Sequence, residues 1–143
     1  MTVLTKIDLE KEKYALIRRH IQDRRAHFDK DIDTLLAGMA AEQINVRDGR
    51  VSRRSQAEAE DGFAAYFDHV AEFIHWDDLQ PPIIQISQDG TMAWMVNQIR
   101  LHYRSTDNEE TDLVCAWLMV YEKQGSDWVA VANASTFGNI RHE

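Results

Sequence analysis

The spacing of apolar residues changes part-way along the chain. Up to about Val70 they recur three or four positions apart. From about Phe73 to Phe137 they run in consecutive extended stretches. The first spacing belongs to helices and the second to strands. Helices followed by hairpin-linked strands predict an α+β domain, with three N-terminal helices packed on one face of a curved antiparallel sheet.

Tyr14, Ile17, Ile21, Arg25 and Phe28 line one side of a long first helix, with Asp8 as its expected N-cap. Asp29 and Asp31 precede a short second helix carrying Ile32, Leu35, Leu36 and Met39, with Gly38 near its end. Ile44-Asn45-Val46 predicts a short strand, Asp48-Gly49 a tight turn, and Val51 the start of the return. Ser55 and Glu58 have capping-box spacing. The helix they open carries Ala59, Phe63, Tyr66, Phe67 and Val70 on one side.

Phe73 to Trp76 reads as extended, and Pro81-Pro82 belongs at a strand start or a free edge. Ile83 to Ser87 leads into the Asp89-Gly90 turn and a strand from Met92 to Arg104. Its alternation places Met95, Asn97, Ile99 and Leu101 on one face, and Arg100 and His102 on the other. Leu113 to Tyr121 is apolar on both faces, and the last strand runs from Trp128 to Phe137. A sheet covered on one side needs only one apolar face. The surplus Val114, Leu118 and Val120 therefore predict a homodimer built through the sheet.

Composition narrows the classes. At 143 residues the expectation is a single domain over 1–143, long enough to bury a core without disulfides or a metal. The single cysteine, Cys115, has no internal partner, which fits a reducing compartment. Met1 to Lys6 has no apolar run of signal-peptide length, and no stretch is long enough to span a bilayer. The expected location is the cytoplasm, away from membranes. A net charge of −8 opposes nucleic acid. Arg18, Arg19, Arg24 and Arg25 are interrupted by Asp23 and read as a solvated helix face. One cysteine, with no close histidine pair, disfavours zinc.

The order of elements carries a family resemblance. Asp48-Gly49-Arg50-Val51-Ser52, the helix from Ala57-Glu58 to Tyr66-Phe67, Pro81-Pro82-Ile83-Ile84, Asp89-Gly90-Thr91-Met92-Ala93-Trp94 and Asp127-Trp128-Val129-Ala130 follow in sequence. Together they resemble the nuclear transport factor 2-like superfamily, in its SnoaL-like and ketosteroid-isomerase-like group. The resemblance implies a cone-shaped α+β roll with an open apolar pocket between helices and sheet. It also implies dimerisation through the outer sheet face. Members include isomerases, cyclases, dehydratases and non-catalytic assembly domains, so the fold does not decide the function.

Relatives of this kind place an aspartate base near the end of the first strand, where Asp48 falls, although Asp48 before Gly49 also suits a turn. Many carry histidines four and six residues after the last-strand tryptophan. Here those positions are Ala132 and Ala134, with Asn133 and Ser135 on the opposite face unless a bulge intervenes. His20 and His27 lie roughly on one side of the first helix, and His27 is four residues from Asp31. The weak catalytic candidates are therefore Asp48 and His27. The expected ligand-binding set is Tyr14, Ile17, Met95, Asn97, Trp117 and Met119. Two readings follow. One is a pocket for a small apolar or aromatic molecule, with no cofactor or metal, where proton transfer beside a carbonyl is the chemistry the resemblance implies. The alternative is a non-catalytic dimerisation or protein-association module.

Overall fold

The computed structural model describes residues 4–139. Three helices, α1 (Lys6–Asp29), α2 (Ile32–Ala37) and α3 (Gln56–His69), are combined with seven strands. These are β1 (Met39–Arg47), β2 (Arg50–Ser55), β3 (Val70–Asp78), β4 (Ile83–Ile86), β5 (Met92–Ser105), β6 (Glu110–Gln124) and β7 (Asp127–Asn139).

Helix α1 starts at Thr5. Its hydroxyl accepts from the Asp8 amide at 3.1 Å while the Asp8 carboxylate accepts from the Thr5 amide. Asp8 is thus the third residue of a capping box, not the cap itself. Lys30, at φ 52°, ends the helix, and Asp31 caps α2 through Thr34. The helix-two residue Met39 proves to be the first residue of β1, opposite Ala130. At α3 the expected capping box is present, with Ser55 Oγ accepting from the Glu58 amide at 3.2 Å.

The strands form one curved, unclosed sheet in the order β2-β1-β7-β6-β5-β3, with β4 also on β5. One pairing departs from the expected antiparallel pattern: β1 runs parallel to β7. These two strands are separated by most of the chain, so no hairpin dictates their relative direction. The others pair antiparallel, β5 and β6 over thirteen matched positions from Met92↔Glu122 to Arg104↔Glu110.

Two apolar clusters lie between helices and sheet. One gathers Ala26, Phe67, Phe73, Trp76, Ile99 and Cys115. The other gathers Leu16, Ile84, Met95, Tyr121, Trp128 and Ala130. Each of α1, β5 and β6 contributes to both clusters. The residues lying between those contributions mark a seam: His20 and Asp23 on α1, Asn97 on β5, Trp117 and Met119 on β6.

The apolar stripe of α1 does not face this core. Tyr14 is 62% exposed and Ile21 59%, while Leu16, His20 and Ala26 are buried. The inward face is held by polar partners that sequence spacing alone cannot reveal. Glu12 accepts from Trp128 Nε1 at 2.5 Å and pairs with Lys123. Arg19 donates to the carbonyls of Trp128 and Gly38.

Candidate functional site in the seam between the two clusters

The inward face of α1 carries Leu16, His20, Asp23 and His27, spaced four, three and four residues apart. These intervals place them along one side of the helix. His20, 5% exposed, contacts Asp78 at the end of β3, Nε2 to Oδ1, at 2.8 Å. Its ring lies 5.5 Å from that of Trp76 and 6.2 Å from that of Trp117.

One turn further, Asp23 lies 3.9 Å from Arg19 and keeps 32% of its side-chain surface open. Burial nevertheless raises its pKa to about 6, against the opposing pull of Arg19 and His20. A carboxyl that is desolvated yet partly accessible stands at the edge of the core. Tyr121 stands beside it, under the Arg19 guanidinium at 5.1 Å, with burial pushing its hydroxyl up to about 12.

The sheet supplies the opposite wall. Met95↔Met119 and Asn97↔Trp117 are direct cross-strand pairs, so these four side chains share one face. Asn97 and Met95 are each 1% exposed. Arg100 lies on the other face, in a two-bond pairing with Asp112 at 3.1 and 2.9 Å. The alternation expected from the sequence therefore holds across β5.

On β7 the register shifts between Val120 and Tyr121, whose partners are Ala132 and Ala130. The extra residue, Val131, reverses the alternation. After it, Asn133 and Ser135 stand opposite Met119 and Trp117 on the inner face. Ala132 and Ala134 face outward with Val120 and Leu118. The proviso attached to a bulge is met, and polar residues replace the alanines on the inner wall.

The remaining sequence candidates fall in different places. Tyr14 and Ile17 point to solvent, since α1 is turned about its axis relative to the face its apolar stripe suggested. Asp48 occupies the β1–β2 turn at φ 52°, its side chain 78% exposed and paired with Arg47, which makes it a turn residue. His27 does lie inside, its Nδ1 against the Asp23 carbonyl at 2.7 Å and its ring 5.4 Å from Trp76. Burial lowers its pKa. Its companion is thus not Asp31, which caps α2. Cys115 is buried and its thiol is raised to about 11, as expected of a small core residue and not a nucleophile. Asp23, and Asp78 as the partner of His20, are what sequence reading missed.

No protein-family model matches the chain. No curated protein sequence matches it either. Solved structures do. A nuclear transport factor 2-like superfamily protein from Salmonella enterica superposes with a TM-score of 0.78 at 11% identity, over 94% of this chain and 96% of that one. The chain has the nuclear transport factor 2-like fold. The hexachlorocyclohexane dehydrochlorinase LinA-type3 from Novosphingobium barchaimii LL02 gives 0.77 at 9% identity, over 93% and 90% of the two chains. A candidate dehydratase of the same fold from Streptomyces avermitilis gives 0.72 at 10%, over 88% and 96%. Among the described residues no helix is long and apolar enough to cross a membrane.

Proposed function

We propose that the cone interior binds a small, largely apolar molecule and transfers a proton on it. The observation that carries this reading is a titratable cluster on the inward face of a helix whose apolar stripe points out. His20 is held by Asp78, and Asp23 follows one turn later. Burying such groups costs stability and makes little sense for packing alone. Two of the similar structures carry names of elimination enzymes, a dehydrochlorinase and a candidate dehydratase. Elimination removes a proton and a leaving group from neighbouring carbons, so a base in a dry site serves it. A carboxyl with a pKa of about 6 is poised for that near neutral pH. Asp23 is the proposed base. His20, its Nε2–H held by Asp78, is the proposed positioning group, its Nδ1 accepting from the substrate; Asp23 returns its proton to a departing hydroxide, and chloride leaves as the anion. Trp76 and Trp117 flank His20 and exclude water.

The test is a panel of small hydroxylated and chlorinated ring compounds and hydroxy-carbonyl compounds, with release of water or chloride followed by NMR. Turnover should fall at least a hundredfold in Asp23→Asn and in His20→Gln, with circular dichroism unchanged. Turnover that survives both substitutions removes the seam from the chemistry.

The association reading keeps one observation of its own, the apolar surface left on the outer sheet face and on α1. It concerns a different surface and does not compete for the interior.

A further inference from the structure

The inner wall carries polar atoms that nothing among the described residues satisfies. Arg54 Nε, Asn97 Oδ1 and Asn133 Oδ1 are buried without a hydrogen-bond partner among the described residues. A fourth such atom, His102 Nδ1, belongs to the outer face with Arg100 and Asp112. Leaving a buried polar atom unmet is costly, so three facing one interior call for an explanation.

Arg54 is the most telling. It sits opposite Gln43 in the β1–β2 ladder, and its Nη2 donates to Gln43 Oε1 at 3.4 Å. Its guanidinium carbon lies 5.8 Å from the centre of the Phe63 ring. No carboxylate pairs with it among the described residues. Glu58 attracts it from a distance, but that carboxylate is taken by the Ser55 cap. Burial, and then the like charge of Arg47, hold its pKa below the ordinary guanidinium range. A half-buried cation facing an aromatic ring, with a second cation nearby, lacks its anion.

The neighbours of Arg54 lead to the seam. Gln43 Nε2 reaches Met119 Sδ at 3.8 Å and the Ala130 carbonyl at 3.4 Å. Met119 is opposite Asn133 on one side and Met95 on the other. On β6 it stands between Trp117, which His20 approaches, and Tyr121, which Arg19 covers. The guanidinium without a carboxylate partner among the described residues, the unmet amide oxygens and the titratable groups of α1 thus line up along three alternate residues of a single strand, Trp117, Met119 and Tyr121.

We propose that the ligand is a small organic acid carrying a hydroxyl. Arg54 binds its carboxylate through the guanidinium fork, Asn133 accepts from its hydroxyl, and its apolar body lies along Met119 and Trp117. Guanidinium and carboxylate match in two parallel N–H···O bonds, which a point charge cannot offer. A methionine side chain can shift to make the room. This rests on the reading that the interior is the ligand site, and it adds the class of molecule.

Isothermal titration of the full chain with 3-hydroxy-3-phenylpropanoate, its primary amide and 3-phenylpropanoate tests it. The hydroxy acid should bind at least tenfold tighter than the amide. Arg54→Gln should remove that ratio by weakening the acid far more than the amide, with circular dichroism reporting the fold. Asn133→Val should weaken the hydroxy acid several-fold and leave 3-phenylpropanoate as it was. Equal binding of acid and amide, a preference that persists in Arg54→Gln, or no binding by any of the three would overturn the proposal. Turnover plays no part in these readouts. An acid preference without proton transfer would sink the catalytic reading alone, and proton transfer confined to neutral compounds would sink this one alone.

Discussion

His20 Nε2 and Asp78 Oδ1 meet at 2.8 Å, tying the middle of the long helix to the last residue of β3. The pair has a dry end and a wet end: His20 is 5% exposed, whereas the Asp78 side chain is 38% exposed. The carboxylate favours a proton on Nε2, which fixes the ring's tautomer and orientation. Asp78→Asn should therefore shift the population of His20 away from the Nε2–H form. The partly unmet ring should cost roughly 1–3 kcal/mol of stability. Two-bond 15N–1H correlation spectra report the tautomer directly, and identical His20 signals in both proteins would show that Asp78 does not orient the ring.

Asp23 makes stability depend on pH with a definite sign. Its folded pKa, about 6, lies above the ordinary 3.8, so the folded state holds the proton more tightly than the unfolded state. The contribution to stability is fully present below pH 3.8 and is lost as pH rises through 6. Allowing for the part of the side chain open to water, the loss is on the order of 2 kcal/mol. Asp23→Asn carries no such loss. It should be more stable than the parent at pH 7.5, and the difference should vanish near pH 4. Urea unfolding at several pH values measures this, and an offset that stays constant with pH would contradict the raised pKa. A substitution that stabilises the fold while abolishing turnover is the behaviour expected of a functional group.

The cap of α3 is the most local of these expectations. Ser55 accepts from the Glu58 amide, and the Glu58 carboxylate answers at the Ser55 amide and hydroxyl. Ser55→Ala should cost about 0.5–2 kcal/mol. Thermal unfolding of the variant checks it, and an unchanged midpoint would mean the cap contributes nothing. Thr5→Ala at the start of α1 should behave alike, because the same two-way bonding occurs there.

These capping residues show what the sequence makes legible. The Ser55–Glu58 spacing, the Asp-Gly turns and the alternation of β5 are local, and each holds in the structure. The features that were misread depend on partners far along the chain. Nothing within α1 says that Glu12 will meet Trp128, or that Arg19 will reach the Gly38 carbonyl. Without those contacts, the side with Tyr14 and Ile21 is the more apolar and looks like the core. The inner polar wall of β7 was hidden for a similar reason, since one extra residue at Val131 reverses every side chain after it. The spacing of His20 and His27 is legible in the sequence, whereas Asp23 between them and Asp78 at the end of β3 are not, because only the packed helix shows which of its faces turns inward.

The outer face of the sheet makes the last prediction, that the protein is a homodimer built through it. Register carries one apolar band across the strands. Ile83 lies opposite Val96, Trp94 opposite Val120, and Val96 opposite Leu118. Leu118 and Val120 lie opposite Ala134 and Ala132, which in turn meet Val46 and Ile44. Trp94 remains 40% exposed, Leu118 39% and Val46 44%. A contiguous apolar surface of this extent marks an interface in most soluble proteins. A two-fold axis lets the band cover itself. The stripe on α1 is the rival surface, but Lys11, Arg18 and Arg25 flank it, and charged residues are depleted at interface centres. Cover by the segment from Gly138 to Glu143 is a further rival, but that segment is short and polar, and its residues 140–143 lie outside those described. Sedimentation equilibrium at micromolar concentration should give twice the chain mass, and Val120→Glu should reduce it to one. Ile21→Glu should leave the dimer intact. If Ile21→Glu splits the dimer and Val120→Glu does not, the interface belongs to α1. A single-chain mass that persists on concentration refutes the dimer altogether.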